Sequence, residues 1–102
     1  MEGITKKILI VDDEYYNIIG LKCIIEVSLQ KILPQSYRKF ANTIVEHFVD
    51  TANNGHEAVE LVKKYEGYID LIFMDCSMPI LDGYEASDQI REYIRDNGLQ
   101  QP

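Results

Sequence analysis

Asp70-Leu71-Ile72-Phe73-Met74-Asp75-Cys76-Ser77-Met78-Pro79 decides the fold. Leu71 to Met74 is a short apolar run suited to a strand buried in a sheet. It ends in a carboxylate, and a buried strand has no use for an ionised group unless its end opens onto a site. A second run, Lys7-Ile8-Leu9-Ile10-Val11, is rich in β-branched residues and ends in Asp12-Asp13. Two strands that stop in the same way point to one sheet edge.

The intervening chain supplies the connections. From Tyr15 the spacing becomes helical, and Ile18, Ile19, Leu21, Ile25, Leu29, Ile32 and Leu33 form a broad apolar face that Pro34 stops. Phe48-Val49-Asp50-Thr51-Ala52 reads as a second, weaker strand, and Asn53-Asn54-Gly55 as a turn. His56 to about Tyr65 predicts a helix broken by Gly67, with Lys63 and Lys64 near its end, where cations suit the helix dipole. Met78 to Gly83 is a loop, and Glu85 to about Arg95 a third helix closed by Asn97-Gly98. The order β-α-β-α-β-α predicts a parallel sheet with helices on its faces and right-handed crossovers. Pro34 to His47 is too long for a simple loop. Phe40, Ile44, Val45 and Phe48 suggest a further helical turn or two, an insertion that lengthens the first crossover.

Composition bounds the function. The chain has 102 residues, enough for one domain, and an apolar content ordinary for a globular protein. A net charge of −7 argues against nucleic acid or an anionic membrane as partner. No apolar run approaches the roughly 20 residues of a membrane span, and Met1 to Lys7 does not read as a signal peptide. Cys23 and Cys76 make no zinc-like set, and their apolar neighbours predict reduced, buried or half-buried thiols in a cytoplasmic protein.

In a parallel sheet all carboxyl ends share one edge, where ligands bind. With the first strand between the other two, Asp12, Asp13 and Asp75 converge there. Two like charges about 4 Å apart repel by about 4 kcal/mol at an effective dielectric of about 20. Three carboxylates therefore call for a proton or a cation, and hard oxygens in that number suit Mg²⁺. Plainer roles exist for each residue. Asp12 or Asp13 can cap the first helix, and Asp75 can be simply a first loop residue. Glu14 reads as a solvated first-turn residue, His47 and His56 as surface residues, and Tyr15, Tyr16, Tyr65, Tyr68, Tyr84 and Tyr93 as packing or rim residues. The pair of Asp-ended strands tips the balance toward a site.

Three motifs carry a resemblance: Ile8 to Glu14, Ala52-Asn53-Asn54-Gly55-His56-Glu57-Ala58, and Asp70 to Glu85. Together, in this order, they resemble the receiver domain of two-component response regulators, over most of Lys6 to Asp96 apart from an extended first crossover at about Ser28 to His47. The resemblance implies a flavodoxin-like, doubly wound α/β sheet in strand order 2-1-3, with the first three βα units present. It implies that Asp75 accepts a phosphoryl group from a phosphohistidine on a histidine kinase or histidine phosphotransfer protein. It implies that Asp13 binds Mg²⁺ directly and Asp12 largely through water, and that the Ser77 backbone carbonyl completes the metal site. Pro79 and Gly83 match residues that shape the loop after the nucleophile.

The family also uses a hydroxyl residue after a fourth strand and a lysine after a fifth. No residue of this sequence matches either, and Lys63 and Lys64 lie on the wrong helix. The expectation is the N-terminal portion of a receiver, residues 1–102, with impaired phosphorylation and a third strand left as an apolar edge. Two other readings remain. One is a non-phosphorylated interaction module or inactive fragment. The other is a Mg²⁺-dependent aspartyl phosphatase, disfavoured because Ser77 and Glu14 stand where such enzymes place a second Asp.

Overall fold

The computed structural model describes residues 6–66, 68–78 and 80–99. Strand β1 (Ile8–Val11) lies between β2 (Val49–Ala52) and β3 (Leu71–Met74) in a parallel sheet of order β2-β1-β3, as expected. Ile8 stands opposite both Val49 and Leu71, and Val11 opposite Ala52 and Met74. The strands are therefore in step, and the residues after Val11 and Met74 leave the sheet at the same level.

Helix α1 (Tyr15–Ile32) follows β1, and α3 (Gly55–Lys64) and α4 (Gly83–Asp96) flank β3 in sequence. The long first crossover resolves into a 3-10 helix (Gln35–Phe40) and helix α2 (Ala41–Phe48). Phe48 thus closes a helix rather than opening the second strand. Gly55 and Gly83, expected in a turn and a loop, are each the first residue of a helix. Gly67, the expected helix breaker, and Met1 to Thr5 lie outside the described residues.

Alternation along β1 splits the core between the two faces of the sheet. Leu9 and Val11 pack with Val59, Val62, Ile90 and Ile94 beneath α3 and α4. Ile10 packs on the other face with Ile18, Val45 and Val49, flanked by Leu21, Ile25 and Leu29. The inserted α2 therefore contributes Val45 to the core. Lys6 fastens its end by donating to the Glu46 and Val49 carbonyls at 2.8 and 3.2 Å.

Two expectations need correction. Ile19 and Ile32 do not join the buried face of α1 but are exposed: Ile19 lies off the inward stripe of Ile18, Leu21, Ile25 and Leu29, and Ile32, though in line with that stripe, is the last residue of the helix and packs on neither core cluster. Cys23 and Cys76 are free but exposed, not buried. α1 is apolar on more than one side, so apolar neighbours do not place Cys23 inside, and Cys76 sits in the loop beyond β3. The expected apolar edge is present: β3 pairs with β1 alone among the described strands, and Leu71 and Phe73 stand exposed.

Tyr65, buried at the end of α3, donates its hydroxyl to Asp50 of β2. Burial pushes the Tyr65 hydroxyl up to about 12, and the hydrogen bond and charge of Asp50 add to the shift. The folded value lies above the ordinary 10.0, so the contribution is full below about pH 10 and is lost as pH rises toward 12. Tyr65→Phe is expected to cost about 1–3 kcal/mol, because it leaves a half-buried carboxylate short of a donor. Urea denaturation of the two proteins at pH 7 and pH 11 checks this: the gap should be wider at pH 7.

Candidate functional site

The site grows from the ends of β1 and β3. The Asp75 amide donates to the Val11 carbonyl at 2.9 Å, so the ladder runs one residue past the strand and fixes the Asp75 backbone. The Asp12 amide does the same on the other side, donating to Ala52 at 3.1 Å. Both backbones are thus held by the central strand and its neighbours. Asp12 and Asp75 are half-buried and Asp13 is exposed. Carboxylate oxygens of Asp12, Asp13 and Asp75 all lie within 4.8 Å of one another.

Local hydrogen bonds orient two of these carboxylates. Asp12 Oδ1 accepts from the Glu14 amide at 2.9 Å and from Asn17 Nδ2 at 3.3 Å. Asp75 Oδ1 accepts from the Ser77 amide at 3.1 Å. The capping role weighed for Asp12 is therefore partly real, since it satisfies an amide just ahead of α1. The N-cap position itself is Glu14, which makes no side-chain capping bond and is exposed. Asn17 escaped the sequence reading. Its only signal is its place in the first turn of α1, five residues after Asp12 and on the side that faces it.

Ser77 lies in the loop after Asp75, and Pro79 lies outside the described residues. Gly83 packs against the site from α4: a Cβ there would stand 2.1 Å from the Asp75 carbonyl oxygen and 2.8 Å from its carbon. Asp82 caps α4 by accepting from the Glu85 amide at 2.9 Å. An open cleft of about 200 Å³, lined by Val11, Asp12, Asn17, Phe73, Met74 and Asp75, leads to the carboxylates. A hydrogen bond with the Cys76 side chain holds the pKa of the exposed Tyr84 above its ordinary value. His56 is exposed, and the His47 ring packs edge-on against Phe48, away from the carboxylates.

The charge balance bears on what the site can hold. The ion pairs among the described residues join Lys7 to Asp70, Lys22 to Glu46, Arg91 to Asp88 and Arg95 to Asp96, and none involves the three clustered aspartates. Mg²⁺ binds hard oxygens at about 2.0–2.1 Å, so its opposite ligands stand about 4 Å apart. The three carboxylate oxygens, all within 4.8 Å of one another, come close to that spacing. Asp12, Asp13 and Asp75 supply the donor chemistry, and an exposed approach leaves room for the waters that Mg²⁺ retains.

A parallel α/β sheet with carboxylates on two adjoining strand ends defines the class of α/β proteins whose candidate ligand site lies at the carboxyl edge of the sheet. Comparison with known proteins gives the family. The model of the response regulator receiver domain matches residues 8–97, and the chain belongs to that family. It is 40% identical over 97 residues to hybrid signal transduction histidine kinase B of Dictyostelium discoideum, covering 95% of this chain and 4% of that protein. Among solved structures it resembles the receiver domain of the Saccharomyces cerevisiae response regulator Ssk1, determined with the histidine phosphotransfer protein Ypd1. The TM-score is 0.65 at 35% identity, over 92% of this chain and 52% of that one. It also resembles the receiver domain of the histidine kinase CKI1 of Arabidopsis thaliana in complex with Mg²⁺ and BeF₃⁻. There the TM-score is 0.58 at 29% identity, over 95% of this chain and 62% of that one. The chain thus spans about half to three-fifths of these solved receivers and a small part of the hybrid kinase. No helix among the described residues is long and apolar enough to cross a membrane.

Proposed function

We propose that this chain is a phosphoacceptor module of a phosphorelay, in which Asp75 takes a phosphoryl group from a phosphohistidine on a histidine kinase or histidine phosphotransfer protein. The observation that carries this reading is the convergence of Asp12, Asp13 and Asp75 within 4.8 Å at the carboxyl edge of the sheet, in a chain of the receiver family. The solved complex of a similar receiver with a phosphotransfer protein supports the choice of partner.

Each residue has a physical task. One Asp75 oxygen attacks phosphorus; the P–N bond to the donor histidine breaks and its electron pair returns to the imidazole. Asp75 is suited to this because its backbone is pinned to Val11 and its Oδ1 is oriented by the Ser77 amide. Asp12, Asp13 and Asp75, with the Ser77 backbone carbonyl, would hold Mg²⁺. When bound, that ion offsets the charge of the carboxylates and of the incoming phosphoryl oxygens. Asn17 and the Glu14 amide keep Asp12 turned toward the cluster. The product is an acyl phosphate carried by the protein, so the module relays a signal rather than turning over a substrate.

Intact mass after incubation with Mg²⁺ and acetyl phosphate tests the reading. Wild type should gain one phosphoryl group and Asp75→Asn none. A folded wild type that gains nothing, or an Asp75→Asn variant that gains as much as wild type, overturns it. A second reading, an interaction module that needs no phosphoryl group, draws support from the exposed Leu71 and Phe73 on β3. Partner binding that survives Asp75→Asn unchanged would favour it.

A further inference from the structure

Of the segment Ala52-Asn53-Asn54-Gly55-His56-Glu57-Ala58 only the Ala52 carbonyl enters the site described above, yet Gly55 stands directly against the loop that follows Asp75. We propose that Gly55 is a positioning residue for Asp75: the first helical residue of α3 holds the phosphoacceptor loop through its bare backbone. This rests on the reading of Asp75 as the phosphoacceptor.

The first turn of a helix has amides with no partner inside the helix. In α3 the cap takes up that of Glu57. The Glu57 amide donates to Asn54 Oδ1 at 2.8 Å, while Glu57 reaches back to the Asn53 amide and to Asn54 Nδ2, each at 3.3 Å. This reciprocal cap makes the start of α3 a stiff post. The Gly55 amide is directed elsewhere: it donates to the carbonyl of Leu81, in the loop between Asp75 and α4, at 3.1 Å. The approach is closer than any other residue permits. A Cβ on Gly55 would lie 2.2 Å from the Leu81 oxygen, 3.0 Å from its carbon and 2.9 Å from Ala86 Cβ.

The loop has reason to need such an anchor. Ile80, beside Leu81, sits at φ 73 with its side chain exposed. A β-branched residue in the left-handed region is strained, and strain of this kind persists only where the surroundings enforce it. Met78 is buried in the core on one side of Ile80, and on the other side Leu81 packs on the same core with its carbonyl held by Gly55. The strained residue is thus bridged by two fixed points. Beyond Leu81, Gly83 presses on the Asp75 carbonyl itself. A displacement at Leu81 is therefore passed along a short, tightly packed segment to Asp75 and to the Ser77 amide that orients it.

Gly55→Ala tests this against Gly20→Ala, whose Cβ meets nothing within 4 Å. Both replace a helical glycine, and both gain intrinsic helix propensity. The readouts are the amide NMR shifts of Asp75 and Ser77 and the Mg²⁺ affinity by calorimetry. Gly55→Ala should move both amides and weaken Mg²⁺ about tenfold, while Gly20→Ala changes neither. A folded Gly55→Ala protein whose Asp75 and Ser77 amides stay in place overturns the proposal, as does unchanged Mg²⁺ affinity in a wild type that binds the ion. If wild type binds no Mg²⁺, the phosphoacceptor reading fails and the amide shifts alone decide the role of Gly55. If Gly55→Ala does not fold, hydrogen exchange of the wild-type Gly55 amide decides. Protection comparable to core helix amides supports the clamp, and exchange as fast as an open loop overturns it.

Discussion

Gly83→Ala is expected to slow phosphoryl uptake at Asp75 by about 100-fold and to lower stability by about 1–3 kcal/mol. The added Cβ would stand 2.1 Å from the Asp75 carbonyl oxygen and 2.8 Å from both its carbon and Cys76 Cα. All three atoms are backbone, so no side chain can swing aside. The Asp75 segment and the start of α4 must separate by about an ångström to reach ordinary contact. Asp75 cannot yield freely, since its amide is bonded to Val11 in the central strand. The movement therefore falls on the geometry of the carboxylate and its loop. A misplacement of that size is enough to cost about two orders of magnitude in a reaction that depends on alignment. Alanine is the better helix former by about 1 kcal/mol, which opposes the clash without cancelling it. Initial rates of phosphoryl uptake by mass, beside a urea denaturation curve, check both parts. A variant that is as stable and as fast as wild type would show that α4 does not set the position of Asp75.

The sequence carried the sheet because the signals there are local. Two apolar runs that each end in Asp point to one carboxyl edge, and with β1 between its neighbours Asp12, Asp13 and Asp75 meet there; the order β2-β1-β3 itself came from the resemblance to receivers. The caps of α3 and α4 went unread, although Asn54 and Glu57, and Asp82 and Glu85, stand three apart. What else escaped depends on distance across the chain. Nothing near Gly55 in sequence announces the Leu81 carbonyl, and nothing near Gly83 announces how closely it meets Asp75. α1 was misjudged for a related reason. Ile19, Ile24 and Val27 are as apolar as the residues that face the core, so the helix has no polar side to fix its rotation. The pairing of Ile18 and Leu21 with Ile10 and Val45 settles it, and that pairing is tertiary. The exposure of Cys23 follows from the same rotation.

Asp13→Asn is expected to raise the stability of the metal-free protein and to remove most of the stabilisation that Mg²⁺ confers. Without a cation, three carboxylates within 4.8 Å oppose one another. Asn keeps the shape of the side chain and removes one charge. Asp13 is exposed, so its repulsion is largely screened, and the relief amounts to about 1 kcal/mol rather than the larger value of a dry interior. With Mg²⁺ the sign reverses. Wild type at 100 times its dissociation constant gains about 2.7 kcal/mol from the bound ion. A variant whose affinity is 100-fold weaker gains about 0.4 kcal/mol at the same concentration. Added to the relief of about 1 kcal/mol, that leaves the variant the less stable protein. The two melting curves should therefore exchange order between chelator and excess Mg²⁺, whereas a residue serving only as a surface charge would keep one order throughout. Melting temperatures of wild type and Asp13→Asn, each in both conditions, decide the matter. A variant that is already less stable in chelator, or that keeps the full Mg²⁺ shift, would remove Asp13 from the metal site and leave Asp12 and Asp75 to hold the ion alone.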